Sequence, residues 1–349
     1  MKRINLKLAV TFLTIITFSC NEPETVVTDI VHTDGSVTRK IEMKNSKNNF
    51  SMKDLQVPFD STWAIKDSLE INKKGDTTWV KRAEKLFATI EDLNVTYKRD
   101  SGHNKDAVRH TEFRKQFRWF NTDYIFSEII DKNLKFGYPV SDFLNKEELN
   151  FYYSPGKLND EKLMGADSLK YKALKDTIDK KKDRWTYKSL VSEWIGEFNR
   201  IAPPRSGKEM SFETLKGREN EFVKSIEKYS KGFDSLWANG IILRDLFGDT
   251  NALKYRSYAD SAMNVATKRL LISFNNYSLR IIMPGRLTGT NGFIDSSHVL
   301  LWPVQSDYFL TEPYRMWAES KTTNKWAWVV TGLFLVFVAA GLIIRKIKS

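Results

Sequence analysis

The sequence predicts an α+β fold carried on a single membrane span. Three observations predict it. Runs rich in Val, Ile and Thr flank turn dipeptides near the N-terminus, apolar residues recur at three and four through the middle, and alternating runs return before a final uncharged run of nineteen residues. Strands, then helices, then strands imply antiparallel β-strands at both ends of an ectodomain around a central helical segment, with the first and last strands sharing a sheet.

The chain opens on Lys2, Arg3 and Lys7, followed by an apolar run from Leu8 to Phe18 and then Ser19 and Cys20. Charged start, short hydrophobic run and small residue make an export signal over residues 1–19, too short to span a bilayer. Cys20 is the chain's sole cysteine. An exported chain meets an oxidising compartment, where paired cysteines are the rule and a lone thiol calls for another use. The segment "TFSC" resembles the lipobox of bacterial lipoproteins, with Thr17 and Phe18 where the stricter pattern has an aliphatic and a small residue. The resemblance implies lipid attachment at Cys20: a thioether-linked diacylglycerol and an acyl chain such as palmitate, and no other cofactor.

Within the extracytoplasmic part, 20–325, β-hairpins are expected over 24–130. Asp34-Gly35 sits between "TVVTDIV" and "VTRKIEMK", and "NKKGD" joins "STWAIKDSLEI" to "TTWVKRAEKLFATI". The aromatic run "TEFRKQFRWFNTDYIFSEII" reads as one further strand. The helical middle covers 141–268. Tyr187, Leu190, Val191, Trp194, Ile195, Phe198 and Ile201 form one apolar face that Pro203-Pro204 ends, Phe222 to Trp237 carry a second, and a third helix opens near Asn251. "SLKYKALKDTIDKKKDR" is a Lys-rich helix or loop with a solvated face. A C-terminal β module follows over 269–320, through "YSLRIIMPG" and the turn Asn291-Gly292.

Residues 326–344, "WAWVVTGLFLVFVAAGLII", carry no charge, and at 1.5 Å per residue they reach roughly 30 Å, the thickness of the hydrocarbon core. Trp326 and Trp328 form an aromatic belt at one edge; Arg345, Lys346 and Lys348 flank the other in the tail 345–349 and place it in the cytoplasm. The expected location is a bacterial inner membrane with a periplasmic ectodomain. A lipid on Cys20 would most simply enter the outer leaflet of that same membrane; the bolder alternative puts it in the outer membrane.

The formal charge is +12, but the signal and the tail each remove three cations, which leaves an excess of six spread over mixed-sign segments. No basic stripe interleaves with aromatics, so the partners indicated are membrane lipids and an envelope protein, not nucleic acid.

Catalytic signatures are lacking. In "HNKDAVRH" the residues His103, Asp106 and His110 would share a face on a helix, yet the surrounding "KRDSGHNKD" reads as a solvated loop, so no metal site is assigned. "PPRSGKEM" has Ala202 and Glu209 where a phosphate-binding loop needs Gly and Ser or Thr. Glu147-Glu148 reads as a helix start. The aromatic load belongs mostly to the core, with a lipid-accommodating cavity as the sharper alternative and an envelope hydrolase without local motif as the third.

The stretch "LRIIMPGRLTGTNGFIDSSHVLLWPV", followed by "YRMWAESK" and the terminal span, resembles the membrane-proximal β module of LppM-like envelope lipoproteins over residues 271–344. There a strand ends in a Pro-Gly turn, a Thr-Asn-Gly segment follows, and a Trp-bearing strand leads to a single span. The resemblance implies an envelope lipoprotein that binds or scaffolds through its surface, and supplies no catalytic residue.

Overall fold

A computed structural model describes residues 24–48, 50, 55–71, 75–154, 166–202, 211–229, 233–294 and 299–348. The segment 1–19 expected as an export signal, Cys20, Pro203-Pro204 and His298 lie outside the described residues.

Strands β1 (Glu24–Val31) and β2 (Val37–Asn45) pair antiparallel around the Asp34-Gly35 turn. Gly35 takes a φ of +96°, and the Phe113 ring lies where a side chain would begin. β3 (Ala64–Ile71) and β4 (Thr77–Phe87) form the second hairpin. Helix α1 (Ile90–Lys98), not anticipated from periodicity, is set by a capping box in which Thr89 and Asp92 satisfy each other's backbone N–H groups.

The aromatic run expected as one strand is instead a hairpin. β5 (Arg109–Arg118) and β6 (Asn121–Ile130) turn back at Trp119-Phe120: β6 buries Thr122, Tyr124, Phe126 and Glu128 in alternation, whereas β5 pairs along its edge with Arg109 and Thr111 buried and Phe113 half-buried.

The helical middle begins with α2 (Lys146–Tyr153), capped by Asn145 and Glu148, as Glu147-Glu148 implied. Helix α3 (Ala166–Ile201) fuses the Lys-rich segment with the aromatic face that follows. Its thirty-six residues span about 54 Å. It is followed by α4 (Phe212–Gly217), α5 (Glu219–Tyr229), α6 (Phe233–Ala238) and α7 (Ile241–Leu270). α7 bends at Gly248, whose φ of +73° and ψ of 162° break the helix just before Asn251.

Five strands precede the last helix: β7 (Tyr277–Ile282), β8 (Arg286–Thr290), β9 (Phe293–Ile294), β10 (Leu300–Val304) and β11 (Tyr314–Thr323). Asn324 alone separates β11 from α8 (Lys325–Lys348).

Two sheets result, ordered β3-β4-β2-β1-β7-β10-β9 and β5-β6-β11-β8. Each sheet combines strands from before and after the helical middle, as expected. The pairings are antiparallel except β1 with β7, which run parallel because the helical middle separates them as one long crossover. Val27, Ile41, Leu279 and Trp302 of the first sheet meet Phe126, Ile130, Met316 and Ala318 of the second in one core. α3 belongs to two cores: Ile178 and Trp185 pack on the sandwich, while Leu190, Trp194 and Phe198 enter a helical core with Phe222, Trp237 and Phe247.

Candidate functional site

Two polar or aromatic constellations stand out from the packing: a charged cluster between the sheets and an aromatic cluster where the second sheet meets α8.

The inner cluster follows from strand parity. Thr25, Val27, Asp29 and Val31 alternate on the buried face of β1, and Val37, Arg39, Ile41 and Met43 on that of β2. The hairpin register places Asp29 opposite Arg39. Arg39 donates to both Asp29 oxygens at 2.7 and 2.6 Å, to Glu128 Oε2 on β6 at 2.5 Å, and to the Tyr97 hydroxyl. All three charged side chains are at most 1% exposed. Burial pushes the Asp29 carboxyl above the ordinary carboxylate range against the pull of Arg39. For Arg39, burial is outweighed by Asp29, Tyr97 and Glu128, which hold it as a cation. A second buried pair joins Arg109 with Asp100, and the Arg109 guanidinium also lies against the Tyr97 ring, 4.8 Å from its centroid. The cluster is enclosed between sheets, so it serves as an internal tie rather than a surface for substrate.

The outer cluster sits at the end of the second sheet. Arg118, Asn121 and Thr323 lie side by side across β5, β6 and β11, one residue before the helix. Asn324 fixes the junction: its amide donates to the carbonyls of Arg118 and Trp119 at 2.8 and 3.2 Å, and its Oδ1 accepts from Thr122 at 2.9 Å. The hairpin tip then lies against the first turns of α8. Phe117 stacks on Trp326 with centroids 6.2 Å apart, Trp119 meets Trp326 edge-on at 5.3 Å, and Phe120 packs on Trp328 at 4.3 Å. The Trp119 indole N–H donates to Thr331 Oγ1 at 2.9 Å. Ala327, one turn earlier on that face, is fully buried. Beyond Thr331 the helix is exposed on every side.

The sequence-selected Trp326 and Trp328 are thus brought together with each other's neighbours on the hairpin, while Arg345, Lys346 and Lys348 occupy the far end of α8. α8 is long and apolar enough to cross a membrane, with a candidate span of Lys325–Ile347. Sequence reading missed Phe117, Trp119 and Phe120 as part of this end; the available signal was the aromatic pair at the hairpin turn.

The histidine segment holds no cluster. His103 hydrogen-bonds Ser273 at 2.6 Å, whereas His110 lies on β5, 3.9 Å from Asp131. Among the described residues no three His, Cys, Asp or Glu side chains converge as metal ligands. The aromatic residues of the helical middle pack on one another, Trp194 alone meeting Phe198, Phe222, Trp237 and Phe247 within 6 Å. A groove of about 690 Å³ lies beside α1, lined by Phe59, Phe87 and Val95 with Asp60, Lys85 and Arg99, charges of both signs.

No protein-family model and no curated protein matches the chain. Among solved structures, the folded domain of LppM from Mycobacterium tuberculosis is similar over 88% of this chain and 94% of that one, with 9% identity and a TM-score of 0.28.

Proposed function

We propose that the protein is a membrane-anchored envelope lipoprotein whose α+β ectodomain works as a binding or scaffolding module at the periplasmic face of the inner membrane. The observation that supports this reading is the junction of β11 and α8. A tethered domain needs a flexible linker; here a single residue joins sheet to helix, and Asn324 and three aromatic rings brace it. A rigid mount presents a surface at fixed height and orientation, which suits a partner held in or beside the same membrane. The cytoplasmic placement of Arg345, Lys346 and Lys348 and the lipid on Cys20 complete the proposal.

The same frame changes the expected role of that lipid. Thr25 bonds Gln56, whose carbonyl accepts from Arg109 at 2.9 Å, so β1 begins level with Arg109. Arg109 is nine positions up β5 from Arg118, about 30 Å from the membrane end at ~3.3 Å per residue. Cys20 lies four residues before Glu24, a reach of roughly 14 Å. With the sandwich upright, a lipid on Cys20 addresses a surface other than the leaflet that α8 enters.

The test is in-cell crosslinking followed by mild-detergent purification and mass spectrometry of proteins and lipids. A membrane protein recovered in near-stoichiometric amount supports the scaffold. Recovery of the chain alone with a tightly held lipid favours the lipid-carrying alternative and defeats the scaffold.

A further inference from the structure

The tip of the β5–β6 hairpin is a fixed part of the ectodomain, yet it lies beside helix that the bilayer must contain. Counting back from Arg345, the first cation of the tail, the uncharged run reaches Trp326 before it meets Lys325. A hydrocarbon core needs about 20 residues, so it claims the whole run and leaves no spare turn above it. Thr331 is five residues past Trp326, about 7–8 Å along the helix. Trp119 is hydrogen-bonded to Thr331, so the indole sits at that depth too.

The chemistry of the tip agrees. Phe117 and Trp119 remain 57% and 47% exposed despite their contacts with α8, and Trp326 and Trp328 are 52% and 57% exposed. These form one continuous aromatic surface rather than scattered apolar residues. An indole normally keeps its N–H towards water or headgroups. Thr331 satisfies that donor internally, which lets Trp119 sit below the headgroups without an unmet hydrogen bond. Behind the rings stands a cationic rim. Arg118, Lys321, Arg286 and Lys325 lie at the last rows of the sheet or at the start of the helix. Asp123 pairs with Arg118 at 2.7 Å and Lys321 at 3.6 Å; Arg286 and Lys325 have no carboxylate in ion-pair range among the described residues. Apolar rings in front of cations match the two layers of an anionic bilayer surface, acyl boundary and then phosphate.

We infer that the hairpin tip, through Phe117, Trp119 and Phe120, is inserted in the interface of the leaflet that α8 enters, with Arg118, Arg286, Lys321 and Lys325 on its anionic headgroups. The inference rests on the reading of α8 as a span. It makes the ectodomain a wedge held upright by two contacts, one helical and one a hairpin.

The test uses the full chain reconstituted in phosphatidylglycerol-containing vesicles with lipids brominated either near the carbonyl end of the acyl chain or near its terminus. The quenching lost on Trp119→Phe reports Trp119, and that lost on Trp326→Phe with Trp328→Phe reports the start of α8. The expected result is strong quenching of the Trp119 component by shallow bromine and weaker quenching by deep bromine. If the Trp326 and Trp328 component is quenched and the Trp119 component is not, the tip stands clear of the lipid and the inference is wrong. If neither is quenched and carbonate releases the protein, α8 does not span and the proposed anchoring fails as well.

Discussion

Arg39 on the first sheet donates to Glu128 on the second across 2.5 Å, with both side chains shut off from solvent. A single guanidinium therefore ties the two layers of the sandwich and neutralises Asp29 on its own hairpin. Removing one partner of a buried ion pair leaves an uncompensated charge, which typically costs about 3–5 kcal/mol. Arg39→Leu should lower the unfolding free energy by that amount, read from the fall in the urea midpoint multiplied by the slope of the transition. Leucine at 39 with Asp29→Asn and Glu128→Gln together should recover part of it, since no net charge then stays buried.

Glu193 joins the sandwich to the helical middle. Its Oε2 accepts from the backbone N–H groups of Lys135 and Phe136, both at 2.8 Å, while Oε1 accepts from Arg269 near the end of α7. Glu193→Ala orphans two amides and leaves Arg269 with Glu197 as its remaining carboxylate, and hydrogen bonds to charged groups contribute about 1.5–3 kcal/mol. The expected outcome is a loss of roughly that size, with hydrogen exchange rising first at residues 133–138.

The Asn291-Gly292 turn couples the sheets at their far edge. Asn291 accepts from the Trp302 indole on β10 and from the Trp317 backbone on β11, both at 3.0 Å. A side chain at Gly292 would run into the Trp302 ring, which is 1% exposed and cannot swing out. Gly292→Ala should cost about 1–3 kcal/mol as overpacking does. A red shift of tryptophan emission would report the displaced indole.

Alkaline pH should unfold the region where α2 meets the sandwich. Tyr152, Tyr153, Tyr308 and Tyr314 form one cluster in which each ring lies within 6 Å of at least two others. Burial raises each of their hydroxyl pKa values, that of Tyr153 to about 12. The folded state then holds these protons more firmly than the unfolded chain. Their stabilisation is complete below pH 10 and is lost as pH rises through 12 and beyond. Tyrosinate absorbance should accordingly appear in one cooperative step together with loss of near-UV circular dichroism, not as independent titrations.

A lipid on Cys20 should attach the protein to a second membrane surface. Lipidated full chain reconstituted in one set of vesicles is expected to dock protein-free vesicles, and Cys20→Ala to abolish the docking while carbonate still fails to extract the protein. Absence of docking by the lipidated chain would mean that both anchors share a bilayer and that the sandwich lies on its flank.

The periodic elements were legible along the chain. The Asp34-Gly35 and Asn291-Gly292 turns, the apolar stripe from Tyr187 to Ile201 and the uncharged run from Trp326 are local patterns, and local patterns are set by the geometry of single strands and helices. Even the Asp29–Arg39 pair was within reach, because strand parity and a known turn fix which residues face each other. Tertiary structure alone decided the rest. The run from Thr111 to Ile130 reads as one strand, and only the pairing of its two halves across Trp119-Phe120, with Phe126 and Ile130 in the core, makes it a hairpin. Glu128 joins Arg39 from 89 residues away. Trp119 reaches Thr331 from 212. Contacts at such separations are selected by packing and by the need to satisfy buried polar groups, neither of which leaves a periodic trace along the chain.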